Sequence, residues 1–283
     1  MMRLWVFVLL NLQAIFCRMV FAEFSTTAEH AIVSMAADYH VGPIPPDATH
    51  AVVAAWIGLS PWGRCLHPIN YGVLQPVLTY GATCVKYQPP DPHQWWISGQ
   101  YVNTNLDCHH VPEQFQKQCA KYSDKYRPVC PNVGHYLVIQ PGDTLRATIE
   151  YQPAKSLWHQ FIEYNHAAHW PFDIALDYCS NSSEKNASVY KSPQEQNNAF
   201  LVIETYNYSK AVTMRFSNIV LAIRNRNPKL QCQDLLQEQP LPNNGTRCRN
   251  VQTTSHADNI TICVIPDCII HKERNGPKLL IKV

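Results

Sequence analysis

The chain has 283 residues, 46% of them hydrophobic and 16% charged, and its 23 Lys and Arg against 21 Asp and Glu give a formal net charge of +2. A chain of this length can bury a sizeable core. Charge this nearly balanced, with no long run of one sign, excludes the electrostatic footprint of a nucleic-acid or anionic-membrane binder.

Residues 1–22 are expected to be a secretory signal. Arg3 precedes the run LWVFVLLNLQAIF, and VFA at 20–22 is a small-residue site of the kind signal peptidase cuts. Asn11, Gln13 and Arg18 interrupt the run, which falls short of the roughly 20 apolar residues needed to span a bilayer. No later segment qualifies, so the expectation is a secreted, extracellular protein with no membrane contact once the signal is removed.

Strand signals then dominate. HAVVAAWIGL, GVLQPVLTYG, HQWWISGQYV, HYLVIQ, DTLRATIEYQ, LWHQFIEYN, FDIALDY, AFLVIETYN, AVTMRFSNIVLAI and NITICVIP are short and rich in β-branched and aromatic residues. Their even spacing predicts an all-β antiparallel sandwich or barrel over residues 23–226. Residues 103–134 break the rhythm as a long polar insertion holding Cys108, Cys119 and Cys130, and 227–283 are expected to form a C-terminal extension whose KLLIKV ending supplies a last strand.

Removing residues 1–22 takes Cys17 and leaves ten cysteines: Cys65, Cys84, Cys108, Cys119, Cys130, Cys179, Cys232, Cys248, Cys263 and Cys268. An even number in an oxidising compartment predicts disulfides, with the connectivity left open. Sequons at Asn181, Asn186, Asn207, Asn244 and Asn259 predict N-glycosylation at surface positions.

Two constellations bear on function. In GVLQPVLTYG, Gln75 sits inside an apolar run, either as a buried amide bonded to sheet backbone or as half of a catalytic pair. In the neighbouring strand signal, alternation puts Trp95, Ile97 and Tyr101 on one face and Trp96, Ser98 and Gln100 on the other. The second set, with Gln75 nearby, describes a polar groove with an aromatic wall, suited to an extended peptide or glycan. The histidines of NHAAHW (His166, His169) and CHH (His109, His110) come without HExxH or CxxC, so they are taken as loop residues, and no metal or cofactor is expected.

The order AWIGL, GVLQPVLTYG, WWISGQYV, VIQPGDTLRATIEY and NNAFLVIETYN, over roughly residues 50–222, resembles the glutamic peptidases, or eqolisins. That resemblance implies a concanavalin-like sandwich of two antiparallel sheets. On it a Gln and a Glu act on a peptide bond, the carboxylate as general base on water and the amide as donor to the oxyanion. Gln75 matches the family's glutamine. At the family's glutamate, however, stands Phe200, and Glu204 aligns with a later, non-catalytic carboxylate.

The expectation is therefore a secreted, disulfide-bonded, glycosylated β-sandwich, a non-catalytic binding or extracellular-matrix component. The rival is an acid-acting endopeptidase pairing Gln75 with Glu204 or Glu163.

Overall fold

In the computed structural model, which describes residues 17–27, 29–60, 72–83, 87–103, 132–174, 196–238 and 246–273, the alternating segments form two antiparallel sheets packed face to face. The first runs in the order β12 (Gln237–Glu238), β1 (Cys17–Ser25), β10 (Asn198–Tyr206), β3 (Val52–Ser60), β4 (Gly72–Tyr80), β5 (Trp95–Asn103) and β6 (Asn132–Ile139). The second runs β13 (Thr246–Cys248), β15 (Ile260–Lys272), β11 (Val212–Arg224), β2 (Ile32–His40), β7 (Thr144–Gln152), β8 (Leu157–Tyr164) and β9 (Ala167–Ile174), with β14 (Gln252–Ala257) also paired to β15. Sequence-distant strands lie side by side in both sheets, as the expected concanavalin-like sandwich requires.

The core lies between the sheets because each strand turns one set of alternate residues inward. Val53, Ala55, Ile57 and Leu59 of β3 and Leu74 and Leu78 of β4 meet Met35, Ala37 and Tyr39 of β2 and Leu145, Ala147 and Ile149 of β7. In β11 the inward phase changes from Met214 and Phe216 to Ile219, Leu221 and Ile223. The left-handed Asn218 (φ 48°) supplies the change of phase, and the β2 register shifts there.

Two side chains repair the ladder where the sequence breaks it. Pro76 has no N–H to offer from interior strand β4, and the β3–β4 ladder is interrupted between Trp56↔Val77 and Leu59↔Leu74 with its register unchanged. The Tyr39 hydroxyl crosses the core to fill the gap, accepting from the Ile57 N–H at 2.7 Å and donating to the Pro76 carbonyl at 2.8 Å. Burial drives this phenol far above tyrosine's ordinary pKa, so it stays a donor. In β5 the register with β6 shifts between Ser98 and Gln100. There Gln160 of β8 clamps the freed backbone, its Oε1 accepting from the Gln100 N–H at 3.2 Å and its Nε2 donating to the Gln100 carbonyl at 2.8 Å. Gly99 is required at this point, since a Cβ would stand 2.7 Å from Cβ of Phe172.

Segments near both ends of the chain take part in the sheets. The segment expected to be a leader, residues 1–22, includes most of β1, whose Ala22 and Phe24 are buried in the main core and whose partner is β10 along its whole length. The alternation Val20, Ala22, Phe24 inward and Met19, Phe21, Glu23 outward is a half-buried strand pattern that the signal-like composition conceals. In the C-terminal segment, β12 joins the first sheet, and β15 pairs with β11 from Lys272 back to Ile260.

Disulfides join Cys232 to Cys263 and Cys248 to Cys268, tying the short helix Cys232–Leu235 and strand β13 to β15. Cys65, Cys84, Cys108, Cys119, Cys130 and Cys179 lie outside the described residues, as do His109, His110, Asn181, Asn186, Asn244 and the KLLIKV ending. Asn207 and Asn259 are exposed at the β10–β11 and β14–β15 turns, both left-handed (φ 54° and 61°).

Candidate functional site

The outward face of the first sheet carries every candidate residue except Glu163. The register sets them in rows across the strands. Phe200 of β10 pairs with Gly58 of β3, Gly58 is level with Gln75 of β4, and Gln75 pairs with Gln100 of β5. The next row is Val202, Trp56, Val77 and Ser98, and the one beyond is Glu204, Ala54, Thr79 and Trp96. Trp96, Ser98 and Gln100 thus share a face, with Trp95, Ile97 and Tyr101 in the core on the other.

Gln75 is 7% exposed, and its side chain makes no hydrogen bond among the described residues. The role of core amide bonded to sheet backbone falls instead to Gln160. Beside Gln75, the Gln100 amide donates to Ser98 Oγ at 3.0 Å, and both residues are buried. Trp96 is fully buried, and its indole N–H has no partner among the described residues. A line of polar groups therefore runs along β4 and β5, with hydrogen-bonding capacity left over at Gln75 and Trp96.

On the β1–β10 side the face is apolar. Ala54, Trp56, Val77 and Val202 form a second cluster, joined by Met19, Phe21, Val73 and Phe200, with Phe21 and Phe200 edge to face at 6.3 Å. The Trp56 ring and Val73 fill the space over Gly58, where an added Cβ would meet each at 2.8 Å.

The carboxylates stand apart from Gln75. Position 200 is two strands from Gln75, roughly 10 Å away with the Trp56 ring and Val73 over the intervening Gly58, and it holds a phenyl ring. Glu204 is four residues further along β10, roughly 13 Å beyond that row. Its Oε2 accepts from Trp56 Nε1 at 3.4 Å and its Oε1 from the Tyr206 hydroxyl. Glu163 lies on β8 of the second sheet, exposed and paired across the ladder with Arg146 and Ala168. Neither carboxylate shares a row with Gln75.

His166 is an exposed turn residue, and no cluster of three or more metal-ligating side chains occurs among the described residues. Sequence reasoning missed Trp56 and Tyr206, the partners of Glu204, although both share its face by simple alternation: Tyr206 two residues on, and Trp56 within AWIGL. It also missed Gln160, although Trp158 and Ile162 flank it on the same alternation in LWHQFIEYN and mark the position as inward.

No protein-family model matches the chain, and no curated protein matches it in sequence. Among solved structures it is weakly similar to a winged bean acidic lectin determined in complex with methyl-α-D-galactose. That match has 9% identity and a TM-score of 0.31, covering 86% of this chain and 72% of the lectin. The resemblance to glutamic peptidases rests on the sequence motifs alone.

Proposed function

We propose that the chain is a secreted, disulfide-bonded glycoprotein that holds an extended polymer, peptide or glycan, along the outward face of its first sheet without cleaving it. The observation that carries this reading is Gln75: a nearly buried amide with no hydrogen-bond partner among the described residues, beside Gln100 and Ser98, in a row whose fourth position is Phe200. Such an amide offers one acceptor and two donors to a ligand. General-base hydrolysis needs a carboxylate within hydrogen-bond reach of the attacking water. In Gln75's row the β10 position is a ring that cannot take a proton, and the carboxylate beyond it, Glu23 of β1, is three strands from Gln75, roughly 14 Å away.

Secretion draws support from the Cys232–Cys263 and Cys248–Cys268 disulfides, which belong to oxidising compartments, and from the exposed sequons Asn207 and Asn259. The apolar cluster gives a polymer a wall to lie on, and the Gln75, Gln100 and Ser98 line gives it polar contacts.

The test presents secreted protein and its Gln75→Ala variant to immobilised glycan and peptide libraries. In parallel, both are incubated with denatured protein from about pH 2 to 7, the range in which a carboxylate base would ionise. Retention by one polymer class, lost in Gln75→Ala, with no hydrolysis at any pH, is the expected result. Acid proteolysis by the wild type, abolished by both Gln75→Ala and Glu204→Ala, would overturn it in favour of the peptidase.

A further inference from the structure

Strand β1 bears on where the leader ends. It pairs with β10 from Cys17↔Tyr206 to Ser25↔Asn198, and Ala22 and Phe24 are 2% and 4% exposed in the main core, with Val20 packed against them. Its other face sends Met19 and Phe21 into the outward apolar cluster. The C-terminal segment holds it as well: Thr246 Oγ1 donates to the Phe21 carbonyl at 3.2 Å, and β12 pairs with Phe24 and Ser25. A cut after Ala22 removes six of the nine residues of this strand. The remainder of β10 then becomes an open edge, and Phe200 and Val202 lose Phe21.

A second small residue stands at the very start of the strand. Cys17 closes the apolar run LWVFVLLNLQAIF, whose length suits the h-region of a secretory leader. We propose that the leader is cut between Cys17 and Arg18, so that the mature chain begins at the second residue of β1 and keeps eight of its nine residues, and Met19 and Phe21 complete the apolar wall of the binding face. This rests on the secretory reading above. The step is hydrolysis of one amide bond: water's oxygen ends on the new Cys17 carboxylate, and the Arg18 nitrogen leaves as an amine carrying the proton. Cys17 leaves with the leader, so the mature chain keeps its ten cysteines.

The decisive experiment expresses the full-length chain in secreting eukaryotic cells and identifies the first residue of the secreted protein by mass spectrometry of its N-terminal peptide. Arg18 is expected. Any other first residue overturns the proposal: Glu23 would do so while leaving the secretory reading intact, whereas protein retained in the cell and beginning at Met1 or Met2 would overturn both. A second arm places an unrelated leader directly before Arg18 or before Glu23. The chain starting at Arg18 should be secreted at the wild-type level. The one starting at Glu23 should fall at least tenfold in yield or melt about 10 °C lower, a shift of the size expected when several kcal/mol are lost from a domain this large. Equal yield and equal melting for the two would remove the structural ground for the proposal.

Discussion

Tyr39 and Pro76 belong to different sheets, yet the phenol of one substitutes for the ladder hydrogen bond that the other cannot make. Replacing Tyr39 with Phe keeps the ring in the core and leaves the Ile57 N–H buried without an acceptor. The expected cost is about 2 kcal/mol, the penalty for stranding a buried donor. Urea unfolding monitored by tryptophan fluorescence measures it, and a change under about 0.5 kcal/mol would show that the hydroxyl is dispensable.

Two glutamines separate stability from binding. Gln160→Leu removes both bonds to the Gln100 backbone at the β5 irregularity and should destabilise by about 2–4 kcal/mol, the sum of two stranded backbone groups. Gln75→Leu breaks no described hydrogen bond and should stay within about 0.5 kcal/mol of wild type while abolishing polymer retention. Comparable losses of stability in both variants would make Gln75 a scaffold residue.

Joining residues 31 apart, the Cys232–Cys263 disulfide restrains the unfolded chain. Replacing both cysteines with Ser should lower the unfolding free energy by about 3 kcal/mol. The earlier denaturant midpoint should appear without any change in the far-ultraviolet circular dichroism of the remaining folded state.

Acid should weaken the fold through His40. Burial first, and then the nearby Arg215 charge, hold this imidazole below its ordinary pKa, outweighing the opposing pull of Asp38 and Asp267. The unfolded chain therefore binds the proton more tightly, and stability present above about pH 6.5 is lost as the pH falls toward the depressed native value. In His40→Gln, melting temperature should fall less between pH 7.5 and pH 5 than in wild type. An unchanged slope would assign the acid sensitivity to other groups.

Most of the sandwich was legible because its strands either alternate apolar and polar residues, as in TLRATIEY, or run apolar throughout where both faces are covered, as in AVVAAWIGL, between turn residues. Strand β2 was not: IVSMAADYH mixes Ser, Asp and three residues of modest β preference, and only burial between β7 and β11 makes it a strand. Strand β1 was hidden because the composition that ends a leader also suits a half-buried strand. At the candidate site, alternation correctly grouped Trp96, Ser98 and Gln100. The distance from Gln75 to Glu204 depends on the β10–β3–β4 register, which is set by pairings between segments far apart in the chain.

The pairing of β1 with β10 and β12, and of β2 with β11, also governs the order of events during synthesis. Strands made first wait for partners made more than a hundred residues later, and the second sheet gains β15 only near the end of the chain. Such non-local pairing is slow, and it leaves strand edges open in the interim. A nascent chain halted before residue 198 has nothing to place beside β1 or β3 on that side. The molecule should therefore depend on chaperones throughout synthesis and acquire protease resistance in a single late step, after its C-terminal cysteines have been added.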